Sequence, residues 1–200
     1  MDNFPTWVEI DLDAFKWNLE WIRERVPGVS ILLVVKADAY GHGAVRISKF
    51  AVECGVDMLG VATVDEGVQL RKAGIRIPVL VLSPTLDDEL EKLIDNDLSA
   101  SVSTVGFAET AAEMARRKGK LCRVHIEVDT GMGRAGLAFP SALESIRRIC
   151  ELENLEAEGI FTHFPAADSD EDYTMDQIRM FTGLVGRLSE QGISFRYIHA

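Results

Sequence analysis

Ile31-Leu32-Leu33-Val34-Val35-Lys36-Ala37-Asp38-Ala39-Tyr40-Gly41-His42-Gly43 is the stretch on which the reading of this chain turns. Its first five residues are apolar and β-rich, the pattern of a short strand buried on both faces, and the glycine-rich segment that follows cannot continue it. Lys36 stands at the junction. An unpaired ammonium is costly to bury, and desolvation favours the neutral amine. A lysine here either snorkels with its head in water or serves as a nucleophile able to condense with an aldehyde. Tyr40 lies within reach across the turn, and Gly41 and Gly43 let backbone come close to an anion. His42, between two glycines, reads as an exposed loop residue.

Working outward, short apolar runs recur and alternate with longer amphipathic segments, the signature of βα units around a parallel sheet. Strands are predicted near residues 31–36, 57–63, 77–82, 98–103, 121–128, 157–163 and 195–199. Helical patterns fall at 43–53, 64–73, 85–96, 104–118, 140–152 and 173–191, with Gly55, Gly74, Gly119 and Gly192 as stop signals. Before the first strand, Trp7-Val8-Glu9-Ile10-Asp11 alternates like an edge strand, and Asp11 or Asp13 can cap a helix running to about Arg25. The expected fold class is α/β, a (β/α)8 TIM-type barrel incomplete at the carboxyl end, with about seven βα units present; a closed barrel typically needs about 250 residues. An open doubly wound sheet is the alternative architecture. In a barrel, reactive residues gather at the carboxyl ends of the strands, where Lys36 and His163 both fall.

The 200 residues are 47% hydrophobic, enough for a substantial core, and the net charge of -11 with no basic stripe argues against nucleic acid. Cys54, Cys122 and Cys150 have neither an even count nor metal-type spacing, so they read as reduced thiols, with no metal expected. The first residues lack a signal-peptide pattern and no run is long enough to span a bilayer, so a cytoplasmic chain without membrane contact is expected.

Three motifs now carry a resemblance. They are Val34-Val35-Lys36-Ala37-Asp38-Ala39-Tyr40-Gly41-His42-Gly43, then Val128-Asp129-Thr130-Gly131-Met132-Gly133-Arg134-Ala135-Gly136, then Thr162-His163-Phe164 followed by Ala167-Asp168. In this spacing the chain resembles the alanine racemases, pyridoxal-phosphate enzymes with an amino-terminal βα barrel, over essentially its whole length. The resemblance implies that Lys36 holds pyridoxal 5'-phosphate as an imine, that Tyr40 hydrogen-bonds the phosphate, that His163 lies against the pyridine ring, and that Arg134 stands near the cofactor's phenolic oxygen and the substrate carboxylate. It implies that residues 1–11 pair with a carboxyl-terminal β domain absent here, that 12–200 form the cofactor-binding barrel, and that the full-length protein is a homodimer interconverting L- and D-alanine for cell-wall synthesis. The opposite-face acid would come from the partner subunit, so this half of an active site is expected to be inactive alone.

Arg134 also reads as functional without the resemblance: a guanidinium on a glycine-flanked loop presents a planar fork to a carboxylate. Glu127 occupies a position where some relatives carry a carbamylated lysine. It shares a strand face with Asp129, so we expect this acidic pair to orient Arg134, with Glu127 fixing it directly. His163 alone would read as a core histidine, and Asp168 as a cap. Two readings compete with the racemase: a single-domain pyridoxal-phosphate-binding barrel without turnover, and a related racemase or aldolase acting on a larger amino acid.

Overall fold

The computed structural model describes residues 6–200. Its first element is helix α1 (Leu12–Arg25), capped by Asp11, whose side chain accepts from the Ala14 amide at 3.0 Å. Residues 6–11 form no strand, and Trp7 and Val8 are exposed. The part of the expected edge strand at residues 1–5 lies outside the described residues. Then come β1 (Leu32–Val34), the turn α2 (Lys36–Gly41), α3 (Ala44–Glu53), β2 (Met58–Val61), α4 (Val64–Lys72), β3 (Val79–Val81), α5 (Leu90–Asp95), β4 (Ser99–Val102), α6 (Val105–Lys118), β5 (Cys122–Asp129), β6 (Leu137–Ala138), α7 (Phe139–Cys150), β7 (Leu155–Phe161), α8 (Glu171–Glu190) and β8 (Tyr197–His199).

All strand pairs are parallel, in the order β1-β2-β3-β4-β5-β7-β8, with β6 paired only to the end of β5. The sheet is a curled half-barrel of the TIM type, clothed by helices. Its two edges, β1 and β8, face a common cleft of about 340 Å³ lined by residues 28–32 and 196–199 together with Met58. That edge position corrects one expectation. Leu32–Val34 are only half-buried, because one side of β1 has no neighbouring strand among the described residues.

The core sits between sheet and helices. Val124, Ile126 and Val128 of β5 are fully covered and join a cluster with Ala108, Ala111 and Ala115 of α6 and Ile146 and Ile149 of α7. Each large aliphatic side chain buried there contributes about 1.5–3 kcal/mol, and the alanines let α6 approach the strands closely. The opposite face of the same strands is polar. Ser99 donates to Glu158 at 2.7 Å, Ser103 to Glu127 at 3.0 Å, and His125 Nδ1 shares a proton with His199 Nε2 at 2.8 Å. Register slips beside His125, where Gly159 opposes it. Burial pushes the Cys122 thiol up to about 12 and that of Cys150 up to about 11, so neither is a ready nucleophile.

Candidate active site

Lys36, Arg134 and His163 follow β1, β5 and β7, so all three lie at the carboxyl ends of parallel strands. The strand leading to Lys36 stops at Val34, one residue short of the end of its apolar run. Beyond it, Ala37, Asp38, Ala39 and Tyr40 all take left-handed conformations, with φ of 50, 54, 52 and 53°. Such geometry costs an L-residue about 1–2 kcal/mol, so other contacts must hold it. The Ala39 amide donates to Val35 O at 2.9 Å, and the Gly43 amide to Asp38 O at 2.9 Å. Asp38 Oδ1 accepts from Ala44 N at 2.7 Å, tying the turn to the start of α3, and Glu66 Oε1 accepts from Ala37 N at 2.8 Å. His42 Nδ1 lies 2.9 Å from Ala39 O and 3.2 Å from Tyr40 O, so its Nδ1 carries the proton. His42 is exposed as expected, yet it fastens the turn. Lys36 is half-buried, and Tyr40, on the same turn, is 60% exposed.

The Arg134 loop is equally organised. Asp129 folds its carboxylate back onto the amides of Gly131, at 2.9 Å, and Gly133, at 3.0 and 3.1 Å. β6 then returns beside Val128 and Asp129, closing the loop. At Gly136, with φ of 113°, an added Cβ would lie 2.7 Å from the Asp129 nitrogen, so only glycine permits this closure. From α8, Tyr173 donates to Gly131 O at 2.8 Å, and Gln177 Nε2 donates to Thr130 Oγ1 at 3.1 Å; Thr130 in turn meets Thr162 across 2.7 Å. These bonds fasten the β5 loop to the end of β7, next to His163. α8 itself is capped by Asp170 rather than Asp168.

The expected acidic pair is not formed in the anticipated way. Asp129 serves its own loop, and Glu127, which is buried, accepts from Ser103 and makes no ion pair with Arg134. Arg134 acts on it only through space: burial raises the Glu127 carboxyl above its ordinary pKa, with Ser103 and Arg134 pulling it back and Asp129 adding to the rise. Among the described residues the exposed Arg134 makes no hydrogen bond, whereas Arg71 gives its donors to four backbone carbonyls. At His163, partial burial, then the charges of Arg134 and Lys36, hold the pKa below the ordinary histidine value. A neutral imidazole beside two cations is a setting for an anion-bearing ligand.

Sequence reasoning missed Glu66, Tyr173 and Gln177. The pair Thr63 and Glu66 was visible as a helix-start signature, but contacts from Ala37 to Glu66, or Gly131 to Tyr173, join segments remote in sequence and leave no local trace. It also missed the polar network at the end of β8. There His199 stacks on Phe161, with ring centroids 4.9 Å apart, and burial with His125 alongside holds its pKa down to about 3. Between about 6.5, the ordinary value, and about 3 the unfolded chain therefore binds a proton that the folded chain refuses. Stability should be complete above that window and fall as pH drops through it. Urea unfolding at stepped pH is expected to show this slope in the parent and a shallower one in His199→Gln.

Comparison with known proteins agrees with this fold. The family described as "Alanine racemase, N-terminal domain" matches residues 10–200. The alanine racemase of Methanococcus maripaludis is 44% identical over 100% of this chain and 54% of its own length. A solved alanine racemase from Clostridium difficile 630 superposes with a TM-score of 0.96 at 36% identity, covering 100% of this chain and 56% of that one. A histidine racemase from Leuconostoc mesenteroides subsp. sake does so with a TM-score of 0.85 at 27% identity, covering 94% and 50%. The chain spans about half the length of the curated relatives it matches. With a half-barrel that carries Lys36, Arg134 and His163 at one rim, and with the family's signature along nearly its full extent, this chain belongs to the alanine racemase N-terminal domain family.

Proposed function

We propose that this chain supplies the pyridoxal-phosphate-binding half-barrel of a racemase that interconverts L- and D-alanine. The observation that carries the reading is the placement of Lys36, Arg134 and His163 after the carboxyl ends of three strands of one parallel sheet. The donor set fits the group: an amine for an aldehyde, a phenol and glycine-rich backbone for a phosphate, an uncharged imidazole for an aromatic face, and a guanidinium for a carboxylate. Lys36 would hold the cofactor covalently, with Tyr40 on its phosphate and His163 against its ring. When bound, pyridoxal phosphate supplies an electron sink for the charge left at the substrate α-carbon.

The chain's own residues do the rest. Lys36 Nζ would take the α-proton from one enantiomer on its own face and, in the opposite direction, deliver a proton to that face. Arg134 orients the substrate through its carboxylate, and the buried Glu127 sets a countercharge near it. One base serves one face, so the opposite proton must come from an acid elsewhere, consistent with a homodimer whose site is completed by the partner subunit. Alanine is favoured because the relatives of higher identity are named alanine racemases. No helix among the described residues is long and apolar enough to cross a membrane, and a cytoplasmic setting is part of the proposal.

The test follows optical rotation of L- and of D-alanine with added cofactor, for the chain alone and joined to the carboxyl-terminal half of the M. maripaludis relative, with histidine as the comparison substrate. Loss of rotation from either alanine enantiomer in the joined protein is expected. Cofactor binding with unchanged rotation in both forms would favour a carrier without turnover.

A further inference from the structure

Glu66 stands in the first turn of α4 and is half-buried. As the third helical residue after Thr63 it completes a capping box: Thr63 Oγ1 accepts from the Glu66 amide at 3.3 Å, and Glu66 Oε2 accepts from the Thr63 amide at 3.3 Å. The same oxygen accepts from the Ala62 amide at 2.7 Å. A cap needs no more than this. Yet Oε1 is aimed at a different element, accepting from the Ala37 amide at 2.8 Å. Ala37 directly follows Lys36 and is the first residue of the left-handed run. The register of β1 on β2, Val34 opposite Gly60, with Val35 N donating to Gly60 O at 2.7 Å, brings the two strand ends level so that one carboxylate spans them.

We infer that Glu66 is a positioning residue for Lys36. It clamps the Ala37 amide to the end of β2 and thereby fixes the direction in which the lysine is presented to the cofactor; this rests on the function proposed above. The physical need is plain. Ala37 to Tyr40 are L-residues in a conformation they disfavour, and a backbone so strained relaxes unless outside bonds determine it. The Asp38 carboxylate holds the far end of the turn at Ala44, while Glu66 holds the near end, adjoining the amine. Its bonds are charge-assisted, the strong kind of backbone anchor. Glu66 acts on Lys36 through the main chain.

Two variants of the intact chain separate positioning from capping. Thr63→Ala removes the hydroxyl from the cap and leaves both Glu66 oxygens their amides. Glu66→Gln leaves one acceptor oxygen where two are in use. Three readouts are taken: thermal midpoint, amide hydrogen exchange over residues 36–43, and the fraction of chain carrying cofactor at Lys36 after borohydride reduction at subsaturating pyridoxal phosphate. Thr63→Ala is expected to lower the midpoint while exchange and trapped fraction stay within about twofold of the parent. Glu66→Gln is expected to speed exchange in the turn and cut the trapped fraction about tenfold, with an altered visible circular dichroism of the bound cofactor. Glu66→Asp, which keeps the charge but shortens the reach, serves if the glutamine form does not fold, with the same outcome expected. If the Glu66 variants lower only the midpoint, as Thr63→Ala does, Glu66 is a cap and the inference is overturned. Should the parent trap no cofactor at Lys36, the functional reading fails and the cofactor part of this inference with it, whereas exchange in the turn still decides whether Glu66 holds it.

Discussion

Lys36→Ala is expected to abolish covalent attachment of pyridoxal phosphate to this chain. The parent, mixed with cofactor and reduced with borohydride, should yield one labelled peptide containing Lys36; the alanine variant should yield none there. Other lysines on the surface, such as Lys16 and Lys92, make carboxylate ion pairs, and none stands between a strand and a held turn. Lys36 is half-buried at the same rim as Arg134 and His163, and under the proposed function the positive charge there would attract an anionic aldehyde. Turnover by the completed enzyme should fall by about 10²–10⁴-fold or more, the usual cost of losing a positioned acid or base. The unfolding midpoint should move little, because the side chain makes no ion pair or hydrogen bond among the described residues. A label mapping to another lysine, or persisting unchanged in the variant, would overturn the assignment.

Gly159→Ala should be the most destabilising methyl that can be added to the sheet. A Cβ at this position would lie 2.3 Å from His125 Nδ1 and 2.6 Å from two further atoms of the ring. That ring cannot easily step aside. It is fully buried, bonds to His199 at 2.8 Å, lies 3.5 Å from Glu158 and stacks on Tyr197 with centroids 5.5 Å apart. Burial raises the Glu158 carboxyl pKa by itself, but His125 and Ser99 outweigh it and bring the group below its ordinary value, so displacing the ring would also strand a buried charge. Overpacking of this kind costs about 3 kcal/mol, which for a domain this size lowers the midpoint by roughly 6–12 °C. The double variant His125→Ala with Gly159→Ala should lose less than the sum of the two single changes, because the ring and the methyl compete for one space. Strict additivity in that cycle would show that the close approach is not what matters.

Much of this architecture is legible in single residues. The apolar runs at 57–63 and 77–82 each became a parallel strand because burial on two faces favours an apolar segment, whereas the strand within 98–103 alternates Leu98, Ala100 and Val102 with Ser99, Ser101 and Ser103, whose hydroxyls are all hydrogen-bonded. Gly55, Gly74, Gly119 and Gly192 each follow a helix with positive φ, as their placement predicted. The placement of Lys36, Arg134 and His163 at strand ends was legible in the chain, the first two from their local pattern and His163 from the resemblance. The left-handed run was not. Ala37, Asp38, Ala39 and Tyr40 carry no composition that signals such a conformation; it exists because bonds from Glu66 and within the turn outweigh its intrinsic cost. Asp129 was misjudged for a related reason. A short carboxylate in a glycine loop bonds its own backbone in preference to a neighbour's guanidinium.

The residues themselves determined the alternation of strand and helix and the rim on which Lys36, Arg134 and His163 stand, because hydrophobic period and turn chemistry act over a few neighbouring positions. Only the tertiary structure decided that β1 is an exposed edge, that the inner face of β5 is a hydrogen-bonded polar layer, and that Glu66, Tyr173 and Gln177 brace the two functional loops. Those outcomes depend on groups brought together across tens of residues, and a contact of that span is set by the packing of the whole sheet.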